Sequence, residues 1–134
     1  MGLNPTIPDI VRRESLDDAK TTIRDLTIRR TGREPTFIFR KGSGSNTDLT
    51  PQLKDRRGLS YQLSIPTVKS TLTSMELVNA TGVLMAIQDK TDHVSVRPIN
   101  ITLLQGWINS RPTAETNPHE FTQILSSISI KVRK

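Results

Sequence analysis

The apolar residues of this 134-residue chain change their spacing several times between one end and the other. Leu16, Ala19, Ile23 and Leu26 recur at three- and four-residue steps, the repeat of one face of a helix. Further on, Val94 and Val96 alternate with His93, Ser95 and Arg97, the repeat of a strand with two unlike faces. A chain that interleaves both periods has to combine helices and strands in one layered structure, so the expected class is α+β.

The elements follow from these periods and their punctuation. Residues 1–14 hold Pro5, Pro8 and mixed charge without a period, and read as an irregular N-terminal arm before one folded unit over 15–134. Ser15 and Asp18 have capping-box spacing, Arg29 and Arg30 suit a helix C-terminus, and Gly32 ends the helix. Thr36–Arg40 is a β-branched and aromatic run that predicts a strand, followed by a long surface loop over 41–58 with three glycines. Leu59–Ile65 alternates and predicts a strand ended by Pro66. The spacing over 68–84 is ambiguous and favours a strand near Met75–Val78, then a short helix capped by Asn79 that carries Val83, Leu84 and Ile87. Strand 92–97, helices over 101–109 and 121–127, and a terminal strand over 127–132 complete the chain. Val94, Val96, Leu104, Trp107, Ile128 and Ile130 are the expected core.

Composition removes whole classes of chemistry. With no cysteine, disulfides, thiolate zinc sites and cysteine nucleophiles are excluded. Two histidines, His93 and His119, cannot make a three-histidine metal site, and no HExxH pair or dense carboxylate loop replaces one, so no metal is expected. No apolar run is long enough to cross a bilayer and the first 30 residues lack a signal-peptide core, which predicts a cytoplasmic protein without membrane contact. The net charge is +6, with twelve bases against eight acids over residues 1–57, and this favours polyanionic ligands: RNA, a phosphate-bearing cofactor or an acidic protein.

Three places could carry chemistry. Arg40 ends a strand and precedes Gly42-Ser43-Gly44, whose small residues would let an anion approach the backbone. Ser60 follows Gly58 and is an ordinary strand residue unless that glycine marks close contact between a ligand and the main chain. His93 shares a strand face with Ser95 and Arg97, and its imidazole can accept or donate a proton near neutral pH, although a histidine bonded to a loop carbonyl has the same sequence signature. There is no GxSxG elbow, no phosphate-binding GxxxxGK[ST] and no GxGxxG.

The order Phe39-Arg40, a glycine-containing loop, Gly58-Leu59-Ser60-Tyr61, then Asp92-His93-Val94-Ser95-Val96-Arg97-Pro98 resembles the compact Tse-type toxins, type VI secretion effectors with an ADP-ribosyltransferase-like fold. Those toxins show an aromatic-Arg, a Gly-x-Ser and a His-x-(Ser/Thr)-x-x-Pro in the same order, and the resemblance covers about residues 36–98. It implies a split, mixed sheet with flanking helices and a cleft for NAD. Arg40 would then pair with phosphate or ribose, Ser60 would support the nicotinamide side, and His93 would line the cleft, with Tyr61, Ser95 and Arg97 adding contacts. It also implies an intracellular toxin with an immunity or antitoxin protein as partner. The sequence departs from the pattern in lacking the Glu-x-Glu or Gln-x-Glu that stabilises the ribosyl cation in transferases of this fold. Two alternatives therefore stand beside NAD chemistry: a ribonuclease toxin using His93 with Arg40 or Arg97, and a basic, non-enzymatic binding module.

Overall fold

The computed structural model describes residues 13–52, 55, 57–110 and 120–133, with Arg13, Leu103, Leu104, Trp107, Asn109 and Ser110 described by their backbone alone. The expected burial of Leu104 and Trp107, the exposure of His119 and most of the N-terminal arm thus lie outside what is described.

Strand β1 (Arg13–Glu14) leads into helix α1 (Leu16–Thr31). The Ser15 hydroxyl accepts from the Asp18 N–H at 3.2 Å, and Gly32, in the left-handed region at φ 72°, returns its N–H to the Ile28 carbonyl. Both ends are therefore closed by the residues the sequence offered as caps. Strand β2 (Phe37–Lys41), strand β3 (Leu59–Tyr61), strand β4 (Ser70–Ser74), helix α2 (Met75–Ala80), strand β5 (Leu84–Lys90), strand β6 (His93–Pro98), helix α3 (Ile101–Ser110), helix α4 (Glu120–Ser127) and strand β7 (Ile130–Val132) follow. The class is α+β. The stretch 13–14, expected to be irregular, is a strand because it pairs in parallel with β7, Arg13 opposite Lys131.

The strands form two sheets, a four-stranded one in the order β1-β7-β4-β2 and a three-stranded antiparallel one in the order β3-β6-β5. They meet at one point: Phe39 and Gln62 exchange both backbone hydrogen bonds, at 2.8 and 2.7 Å. A continuing antiparallel ladder would next pair Lys41 with Ser60. Instead the strands part there, and a wedge opens between the two sheets.

The segment 68–84 differs from its expected order. The strand comes first, over 70–74, the helix follows over 75–80, and Val83, Leu84 and Ile87 lie in or beside β5. Ser74 fixes this boundary, since its hydroxyl accepts from the Leu77 N–H at 3.1 Å and starts α2. Asn79 lies inside the helix and accepts from the Ala86 N–H at 2.9 Å. β4 is a central strand buried at all five positions with Leu72 as its one apolar residue. Two of its hydroxyls are matched internally, Thr73 donating to the Ile128 carbonyl and Ser74 bonding Thr27 of α1, while the buried Thr71 hydroxyl has no hydrogen-bond partner.

One contiguous core lies between the sheets and the helices, including Ile23, Ile38, Phe39, Leu59, Leu72, Val94, Val96, Phe121, Leu125 and Ile128. Val94, Val96, Ile128 and Ile130 are buried as their alternation requires.

Candidate functional site

The β5–β6 hairpin builds one wall of the wedge. Gln88 stands opposite Val94 but Lys90 stands opposite His93, so Asp89 is the extra residue of a bulge. The two residues between Lys90 and His93 make the turn, with Asp92 in the left-handed region at φ 56°. The Asp92 carboxylate accepts from the Leu63 and Ser64 N–H groups and from the Ser64 hydroxyl, at 2.6–2.8 Å. Those bonds hold the chain after β3 against the hairpin and keep the Asp92 carboxyl below its ordinary value.

On the same face, His93 is held at both nitrogens. Nδ1 lies 2.5 Å from one Asp89 oxygen, and Nε2 lies 3.2 Å from the Ser60 hydroxyl. The second Asp89 oxygen accepts from the Ser95 hydroxyl at 2.6 Å. Hydrogen bonds from His93 and then Ser95 hold the Asp89 carboxyl down at about 2. An ionised carboxylate can only accept, so Nδ1 carries the proton, and the Nε2 of a neutral ring is left to accept from Ser60. Asp89, absent from the sequence-derived candidates, thus orients the ring. Its signal was the four-residue step Asp89 to His93 across a tight hairpin, together with Ser95 one alternation further.

Arg40, Ser60 and His93 line the same cavity of about 250 Å³, along with Phe39, Lys41, Tyr61, Gln62 and Asp92. They reach it differently. Pairing of Phe39 with Gln62 puts Ser60 and His93 on one side and Arg40 with Tyr61 on the other. The Arg40 guanidinium spans the opening: Nη1 donates to the Ser60 carbonyl at 3.1 Å, Nη2 donates to the Asp48 carbonyl at 2.9 Å, and Nε lies 3.4 Å from the Asp48 carboxylate. Arg40 therefore fastens the 42–50 loop to β3 at the point where the sheets part. Tyr61 is buried, its hydroxyl lacks a hydrogen bond, and burial pushes its pKa far up. Ser95 stands behind Asp89, and Arg97 is not among the lining residues.

Two glycine expectations change. The Gly42–Gly44 turn encloses the chain's own Asp48: the Gly44 N–H donates to Asp48 at 3.0 Å, and a Cβ on Gly42 would lie 2.7 Å from that carboxylate. Gly58 marks contact with protein backbone, since a Cβ there would lie 2.5 Å from the Val96 carbonyl oxygen of β6. The 41–58 loop is also less exposed than its polarity suggests, because Leu49 is buried and Thr50 bonds Thr122 of α4 at 3.2 Å.

Among the described residues no group of acids and histidines could hold a metal ion, and no helix is long and apolar enough to cross a membrane. No family model, curated protein or solved structure matches this chain.

Proposed function

We propose that this chain is a toxin-type enzyme of the ADP-ribosyltransferase-like kind that binds NAD in the wedge between its two sheets and breaks the bond to nicotinamide. The observation that carries this reading is the presence of Arg40, Ser60 and His93 in the lining of one cavity, at the place where the sheet splits. That cavity is smaller than the roughly 300–1,000 Å³ of most small-molecule pockets. Its size suits the nicotinamide and its ribose, with the remaining phosphates reaching out past Lys41. Arg40 uses two guanidinium N–H groups on main-chain carbonyls and keeps one more on each terminal nitrogen for an anionic oxygen. His93, with Asp89 behind it, would take the proton from the acceptor hydroxyl or water that replaces nicotinamide. Asp92 is the acid in the lining and is spent on residues 63–64, so no lining carboxylate is free to stabilise a ribosyl cation. Turnover is accordingly expected to be slow.

A ribonuclease is the second reading, favoured by the Asp89-oriented imidazole and the net charge of +6. Incubating the purified chain with NAD and, separately, with total tRNA distinguishes them. Nicotinamide release that vanishes in His93→Ala supports the first; RNA fragments without nicotinamide transfer the assignment to the second. An immunity or antitoxin protein belongs to the first reading and would be expected to cover this wedge.

A further inference from the structure

Ser60, His93 and Asp89 stand in the relation a serine nucleophile needs, independently of any dinucleotide. The hydroxyl meets Nε2 at 3.2 Å, Nδ1 meets a carboxylate at 2.5 Å, and that carboxylate is itself fixed by Ser95 at 2.6 Å. Such a chain of base and orienter is how a weak hydroxyl is activated, and it is recognised by geometry and not by residue order. Ser60 is exposed and lines the cavity, so an electrophile can reach it.

The backbone adds a second element. Gln62 turns its N–H and carbonyl to β2, and two residues earlier Ser60 turns its own pair the same way. The Ser60 carbonyl is taken by Arg40, and the Ser60 N–H faces the opening beside its own hydroxyl. A nucleophile's own N–H in that position can support the oxyanion of an attacked carbonyl. The cavity of about 250 Å³ has room for a short acyl group.

We propose that Ser60 is a covalent nucleophile toward small activated carboxylic esters, giving this chain an esterase activity separate from any action on NAD. The Ser60 Oγ attacks the carbonyl carbon while His93 Nε2 takes the hydroxyl proton. The ester C–O bond then breaks, the leaving oxygen takes that proton from His93, and the acyl group stays on Ser60. Water, deprotonated by His93, attacks the acyl carbonyl, releasing the carboxylic acid and restoring Ser60. Asp89 acts through His93 and is a positioning residue.

The experiment treats the full chain with a fluorophosphonate and with p-nitrophenyl acetate, and locates any adduct by peptide mass spectrometry. One phosphonyl group on Ser60 is expected, none in Ser60→Ala, and labelling about 100-fold slower or more in His93→Ala. Ser60 is exposed, so Ser60→Ala should keep the native circular dichroism. Asp89→Asn should slow labelling while the circular dichroism stays native, and Asp89→Glu, which keeps the carboxylate, should restore part of the rate; a merely structural role would leave the rate of well-folded Asp89→Asn unchanged. Labelling at any other residue, or equal rates for the parent and His93→Ala, overturns the proposal. Nicotinamide release is scored on different substrate, so either activity can fail without the other.

Discussion

Arg40 is a mostly buried cation whose three contacts are with two residues of different segments, Asp48 and Ser60. Lysine keeps the charge but has neither the planar fork nor the reach to serve the Ser60 and Asp48 carbonyls together. A surface strand-end arginine would lose ligand contact on Arg40→Lys at nearly constant stability; with the Arg40 side chain 15% exposed and bonded as it is, the same change is expected to lower stability by about 1–3 kcal/mol. Urea denaturation reads this directly, and an unchanged midpoint would show that the bonds to β3 and the loop are unimportant. Asp89 gives a pH-dependent counterpart. Its carboxyl is held at about 2 in the folded chain against an ordinary 3.8, so its contribution is fully present above about pH 4 and fades as pH falls toward 2. Asp92 is shifted in the same direction, so the comparison to make is between the parent and Asp89→Asn. The parent should lose more stability than the variant between pH 4 and 2; parallel curves would show that the Asp89 contacts do not favour the folded state.

At the scale of elements, the caps and the alternation at 93–98 were legible because each is specified by neighbours in sequence, whereas the alternation over 59–65 and 127–132 overstates strands that cover only Leu59–Tyr61 and Ile130–Val132. Ser15, Gly32 and the run His93–Pro98 needed nothing beyond themselves. β4 was not legible, because its Ser-Thr-Leu-Thr-Ser sequence carries one apolar residue, and its buried central place depends on distant partners such as the Ile128 carbonyl and Thr27, which meet the Thr73 and Ser74 hydroxyls. For the same reason the expected strand at Met75–Val78 falls one element late: those apolar residues suit a strand by spacing, and the strand itself is the polar run just before them. The glycines likewise signalled close approach without saying to what. Gly58 illustrates the consequence. Its φ is 118°, and an added Cβ would lie 2.5 Å from a backbone oxygen of β6 that has no flexible end to move. Gly58→Ala is expected to cost about 2–3 kcal/mol through backbone strain and loss of β3–β6 contact. A fall in melting temperature of several degrees should accompany it, and an unchanged one would mean that β3 does not sit so close to β6.

Across the whole molecule, Ser60 and His93 were identifiable from their strands, whereas the wedge that brings them near Arg40 depends on where one ladder stops. That stop follows Phe39 and Gln62, and no local pattern in either residue's neighbourhood encodes it. Asp89 was missed because its role comes from a bulge, which shifts the register by one residue and is invisible to a period-two count. The proposed binding of NAD in the wedge can be read at the His93 ring itself. The chain has two histidines, His93 and His119, so imidazole NMR is simple to assign, with His119→Gln separating the two sets of signals. Titration with NAD should shift the His93 ring resonances in a saturable way, and Ser60→Ala should weaken that response. His93 signals that stay in place at saturating NAD would contradict the account.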